Sequence, residues 1–102
     1  MMQMMAIVFR KSLEGEILRL LRECHMPGFT EIAEVWGAGE TGPVFNSFVR
    51  PGVNSLILAA VDEADGERLL TALREFRDAS VARRRGAGVP LHVYLLPCSQ
   101  VL

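Results

Sequence analysis

The stretch Thr30–Val61 reads TEIAEV WGAGETGPVFNSFVRPGV NSLILAAV, and its reading decides the fold. Both ends look like strands: Thr30–Val35 is short and partly β-branched, and Asn54–Val61 is apolar along its length. Between them Trp36–Val53 shows no clear helix or strand period, and it carries four glycines (Gly37, Gly39, Gly42, Gly52) and two prolines (Pro43, Pro51). The chain thus passes from strand to strand with no helix between, over a connection longer than a mere link requires. In so short a chain, such a connection is more often a working loop.

Gly37, Gly39 and Gly42 spell G-x-G-x-x-G. A dinucleotide fold needs a helix directly after that motif, so that the pyrophosphate meets the helix N-terminus. Pro43–Val49 is too short before Pro51-Gly52 to be that helix, and no acidic residue ends a second parallel strand. Two compatible readings remain: glycines that permit positive φ in a long turn, and glycines that let bare N–H groups approach a phosphate.

Working toward the N-terminus, Met4–Phe9 is a short apolar strand. Ser12 is placed to cap a helix running through about His25, with Leu13, Ile17, Leu20, Leu21 and Cys24 on one face and Glu14, Arg19, Arg22 and Glu23 on the other. Pro27-Gly28 ends it. Toward the C-terminus, Asp62-Glu63-Ala64-Asp65 offers caps and first-turn acids for a second helix. That helix buries Leu69, Leu73 and Phe76, with Leu70 beside them, and runs to about Ala82 or Arg83. Arg83-Arg84-Arg85-Gly86-Ala87-Gly88 breaks it, and Leu91–Leu96 is a fourth strand. The order β-α-β-β-α-β is the ferredoxin-like α+β pattern: a four-stranded antiparallel sheet with both helices on one face. The chain is read as one domain, residues 1–102, with a long loop at about 37–53.

The 102 residues have room for one core; half are hydrophobic and the net charge is −1. That balance gives no electrostatic case for nucleic-acid binding. No apolar run is long enough for a membrane span, and Met1–Phe9 lacks the basic start and small-residue cleavage site of a signal peptide. Two cysteines make no disulfide framework, so a reduced, cytoplasmic protein is expected.

The third and fourth strands are nearly continuous apolar runs, although two helices can cover only one face of a sheet. Leu56, Leu58 and Ala60 point one way and Ile57, Ala59 and Val61 the other. Something must bury the second face, and another copy of the chain is the simplest candidate. A homo-oligomer is therefore expected from the pattern alone.

Three pieces of the chain resemble the PII signalling proteins. Thr30–Gly39 is similar to the strand that enters their T-loop, through a T-x-x-E-V-x-G-x-G-like sequence. Leu56–Val61 with Asp62-Glu63 resembles their third strand and the acidic start of their second helix. Gly86-Ala87-Gly88 before Leu91-His92-Val93-Tyr94 resembles their B-loop. The resemblance implies a homotrimeric regulatory protein rather than an enzyme, with an adenine-nucleotide site between subunits and a loop that engages a partner protein. It places nucleotide binding at Gly37, Ala38, Gly39, Glu40 and Thr41 and at Arg83, Arg84, Arg85, Gly86, Ala87 and Gly88. Thr41 stands where the family has glutamine, Ala87 replaces the B-loop acid, and no basic pair follows the last strand. These departures favour AMP or ADP over ATP, or a related small anion in the same place between subunits. The three arginines can grip phosphates or simply complement a helix C-terminus. Phe45, Phe48, Val49 and Arg50 are expected to meet a neighbouring subunit or a partner, since apolar residues on a loop need cover.

Two other readings stand beside this one. Cys24-His25-Met26, with His92, Cys98 and the N-terminal methionines, suggests a soft-metal protein of CutA type. Cys24 lies on the apolar helix face, however, and the spacing matches no closed zinc site, so no metal ligand is assigned. The other reading is a trimeric scaffold without a ligand. No nucleophile–base pair is evident.

Overall fold

A computed structural model describes residues 2–36, 38–39, 42–43, 53–83 and 88–102. Strand β1 (Gln3–Arg10) alternates: Met5, Ile7 and Phe9 are buried, while Met4, Ala6 and Val8 are half-buried on the other face. A single 3-10 turn, Lys11–Leu13, leads into helix α1 (Glu14–Glu23). Ser12 lies within this turn and does not cap α1, which has no side-chain cap. The tight turn follows from what holds the strand end. The Lys11 amide donates to the Val53 carbonyl at 2.7 Å, so the chain must bend sharply to start a helix above the sheet.

Helix α1 buries Ile17, Leu20 and Leu21, with Cys24 just past its end, the stripe its spacing predicts. It stops before Pro27. His25 has φ 55°, its amide donates to the Arg22 carbonyl, and the Met26 amide donates to the Leu21 carbonyl. This is a Schellman close with histidine in the left-handed position usually held by glycine.

Strand β2 (Thr30–Val35) is followed by two-residue strands β3 (Ala38–Gly39) and β4 (Gly42–Pro43), which pair as a small separate ribbon. Strand β5 (Asn54–Val61) buries Ser55, Ile57, Ala59 and Val61. Helix α2 (Glu63–Arg83) follows, capped by Asp62, whose Oδ1 accepts the Asp65 amide at 2.7 Å. Gly66 in its first turn permits close packing, since a Cβ there would sit 3.2 Å from Val61 Cγ2. Strand β6 (Leu91–Pro97) completes a sheet of order β2-β5-β1-β6, antiparallel throughout. One core joins Met5, Ile7, Phe9, Ile57 and Val61 to Ile17, Leu21, Leu69 and Leu73, so both helices cover the same face. This is the ferredoxin-like α+β arrangement.

The uncovered face is apolar in rows. Ile32, Leu56, Val8 and His92 lie in register across the sheet, then Thr30, Leu58, Ala6 and Tyr94, then Ala60, Met4 and Leu96. Tyr94 is 57% exposed and Leu96 48%. Each Leu-sized side chain taken from water contributes about 1.5–3 kcal/mol when burial is complete. These residues are only partly covered within one chain.

Candidate functional site

The topology gathers the long loop and the glycine-rich turn at one end of the sheet. Strand β1 runs toward that end and α1 runs away from it. Strand β2 returns there and hands over to the loop. Strand β5 leaves it, α2 comes back over 21 residues, and β6 starts again there. Two hydrogen bonds tie the strand ends together: the Arg10 amide donates to the Pro90 carbonyl at 3.1 Å, and the Lys11 amide to Val53. Val35 pairs with Asn54 on the other side.

Strand β2 does not reach this end in regular register. Two residues separate Leu56 from Asn54 on β5, but three separate Ile32 from Val35 on β2. The extra residue is a bulge, and Glu34 within it has φ 60°, a left-handed conformation uncommon outside glycine. The bulge re-aims the strand just before Trp36, which is 68% exposed.

Behind the sheet, on the helix side, lies a carboxyl pair. Lys11 Nζ meets Glu14 Oε1 at 3.0 Å. Hydrogen bonding with Glu31, then with Lys11, holds the Glu14 carboxyl below its ordinary range. Hydrogen bonding with Glu14, then burial, pushes the Glu31 carboxyl up. The two shifts run in opposite directions, so protonation is favoured at Glu31 over Glu14. Ser55, a fully buried residue, lies close enough to Glu31 to oppose that rise, although neither Glu31 Oε2 nor the Ser55 hydroxyl meets a partner at full hydrogen-bond geometry. The third unpartnered buried atom is Arg10 Nε, on the opposite face of the sheet.

Of the residues expected to bind nucleotide, Ala38 and Gly39 form the β3 side of the small ribbon, and Arg83 closes α2. Arg83 Nη2 donates to Ser80 Oγ at 3.2 Å. Gly88 is exposed with open space around its Cβ position, and it does not have a positive φ. Gly37, Glu40, Thr41, Arg84, Arg85, Gly86 and Ala87 lie outside the described residues, as do Phe45, Phe48, Val49 and Arg50. Strands β2 and β6 are opposite edges of the sheet. Three strand spacings, about 14 Å, therefore separate the start of the loop from the end of the turn. Sequence reasoning passed over Arg10, Glu31 and Ser55. The available signal was a polar residue at a strand position whose neighbours two away are apolar: Ser55 before Ile57, and Arg10 after Val8.

The metal-reading residues scatter. Cys24 is buried and burial pushes its thiol up, which disfavours the thiolate a metal needs. His25 is exposed at the far end of α1, and His92 is exposed on β6. Among the described residues, no group of three His, Cys, Asp or Glu side chains could hold a metal ion. No described helix is long and apolar enough to cross a membrane.

No family model matches the chain. No curated protein matches it either. Solved structures do. CPII from Thiomonas intermedia K12, a nitrogen regulatory PII-like protein bound to ADP, AMP and bicarbonate, aligns over 97% of this chain and 89% of its own, with TM-score 0.68 and 20% identity. A Thermus thermophilus structure assigned as a PII-like signalling protein covers 92% and 82%, with TM-score 0.64 and 18% identity. A DUF3240 family protein from Shewanella baltica OS155 covers 97% and 91%, with TM-score 0.63 and 18% identity. At these identities the likeness establishes the fold, and that fold is PII-like.

Proposed function

We propose, from the PII-like fold, that the chain is a homotrimeric regulatory protein that binds an adenine nucleotide between subunits. AMP or ADP fits better than ATP, and loop 37–53 carries the response to a partner protein. The observation that carries this reading is the placement of the two glycine-bearing segments. They share one end of the sheet but occupy opposite edges. Within one chain the strand ends that lead to them are about 14 Å apart. Across a subunit boundary, the β2 edge of one copy can face the β6 edge of the next. Burial of the apolar face with Leu56, Leu58, Tyr94 and Leu96 would drive that association. CPII carries ADP and AMP on the same fold.

On this reading the site is Gly37, Ala38, Gly39, Glu40 and Thr41 with Arg83–Gly88, and Phe45, Phe48, Val49 and Arg50 form the partner surface. The protein acts by binding rather than by catalysis. A cytoplasmic setting accords with Cys24 and Cys98, both free thiols.

Calorimetry with AMP, ADP and ATP tests the ligand. Binding should weaken strongly when Arg83, Arg84 and Arg85 all become alanine, since a charge-assisted hydrogen bond contributes on the order of 1.5–3 kcal/mol. No binding at millimolar ligand would leave the ligand-free scaffold in its place. Light scattering tests the trimer, and two substitutions separate the faces. Ile57→Asp puts a charge in the fully buried core and should prevent folding. Leu58→Asp lies on the open face and should yield a folded monomer. A monomeric wild type would overturn the subunit-boundary site.

A further inference from the structure

We propose that Arg10 is the principal positive contact for a small oxyanion, bound at the loop end of the sheet's open face. This deepens the nucleotide reading and rests on it for the source of the oxyanion, which is either a nucleotide phosphate or a free anion such as bicarbonate.

Arg10 is the last residue of β1, paired with Asn54 of β5, and its amide reaches Pro90 just before β6. It thus stands at the middle of the strand ends that lead to both glycine-bearing segments. Met5, Ile7 and Phe9 face the helices, so strand alternation directs Arg10 to the opposite face.

Its Nε is buried and has no hydrogen-bond partner. Guanidinium keeps its charge at any physiological pH and has only donors to offer. Lys11 meets Glu14, Arg19 meets Glu16 and Glu23, Arg68 meets Asp65 and Arg77 meets Asp78, while Arg22 and Arg74, which form no ion pair, are exposed to water. Among the described residues no carboxylate pairs with Arg10. Of the acids nearest by topology, Glu14 and Glu31 lie on the helix side with the sheet between them and Arg10, and Glu34 lies in the β2 bulge beside the Asn54 pairing; none forms an ion pair with Arg10. If the open face is buried between subunits, Arg10 lies at the rim of that interface and loses water. A buried guanidinium then requires a counter-charge. Planar and tetrahedral oxyanions match its fork of donors.

Thermal-shift and calorimetric titrations of the full chain test this, with inorganic phosphate, bicarbonate, AMP and adenosine as probes. The proteins compared are wild type, Arg10→Gln and Arg10→Lys. AMP and at least one free oxyanion should raise the wild-type Tm. Arg10→Gln should lose about tenfold to a hundredfold in AMP affinity, with adenosine unchanged, and Arg10→Lys should keep part of it. If free phosphate or bicarbonate stabilises the wild type but not Arg10→Gln, while AMP does not bind, Arg10 stands and the nucleotide reading falls. Equal AMP affinity in wild type and Arg10→Gln overturns the role of Arg10 and leaves the nucleotide reading intact. A wild type indifferent to every oxyanion overturns it too. So does an Arg10→Gln protein that loses the oligomer with no anion present, because Arg10 would then pair with a carboxylate of the neighbouring subunit.

Discussion

At the end of the sheet where α1 stops and α2 starts, polar groups are paired. Arg68 donates to the Cys24 carbonyl from both Nε and Nη2, at 3.2 and 2.8 Å, and also holds Asp65. Asp62 caps α2, and the Schellman close satisfies the last carbonyls of α1. At the opposite end, where β2 leaves the sheet and β6 begins, Arg10 Nε, Glu31 Oε2 and Ser55 Oγ are buried without a partner at full hydrogen-bond geometry. Buried polar atoms in folded proteins are nearly always satisfied. The first end is complete within one chain. The second leaves these three atoms without a well-formed partner inside the chain.

The largest effect should come from undoing the complete end. Asp62→Ala removes the α2 cap and should cost about 1 kcal/mol, which lowers Tm by about 4–8 °C in a domain of this size. Nucleotide affinity should not change, because the cap lies a full helix length from the loop end. A change in affinity with stability held would join the two ends and break the comparison.

A smaller effect is expected at Ser55. Its hydroxyl lies near Glu31 but meets no partner at full hydrogen-bond geometry, so Ser55→Ala should shift stability by no more than about 0.5 kcal/mol, in either direction, because no well-formed hydrogen bond is lost. Denaturant unfolding measures it. A loss above about 1 kcal/mol would mean that the hydroxyl is satisfied in solution and that this corner is complete after all.

The smallest effect is the pH response of the carboxyl pair. Glu31 is raised in the folded state, so the stability it contributes is present below its unfolded value and is lost as pH rises through the folded one. Glu14 is lowered, so its contribution is present above its unfolded value and is lost as pH falls through the folded one. The pair should therefore stabilise the fold most in the mildly acidic range around 4.5, the ordinary value for both, and weaken on either side. Glu31→Gln keeps the hydrogen bond without the proton and should flatten the alkaline side of a Tm–pH profile. An unchanged alkaline limb would remove the Glu31 proton from the account.

Much of the fold was legible because its signals are local. The stripe Ile17, Leu20, Leu21, Cys24 and the cap at Asp62 lie within one or two helical turns, and the four main strands and two helices follow in the order read, while the two-residue strands β3 and β4 lie in a stretch read without a strand period. The start of α1 was misread because Ser12 has the chemistry of a cap. The backbone bond from Lys11 to Val53, 42 residues away along the chain, sets a 3-10 turn there instead. Of the proposed site, Ala38, Gly39, Arg83 and Gly88 were singled out from the family resemblance together with glycine and arginine chemistry. Arg10, Glu31 and Ser55 were missed, since an unsatisfied atom is a property of its surroundings.

By itself the sequence determined the order of elements, the apolar character of both sides of Asn54–Val61, and hence the need for a second covering. Periodicity carries that information, because residues two or four apart share a face whatever lies beyond them. Only the tertiary structure decided that Ile57 faces the helices and Leu58 does not, and that β2 and β6 lie on opposite edges. It also left Arg10 uncompensated where both connections begin. Strand order and register are set by hydrogen bonds and packing between segments distant in sequence, and no local pattern encodes which partner a strand end will meet.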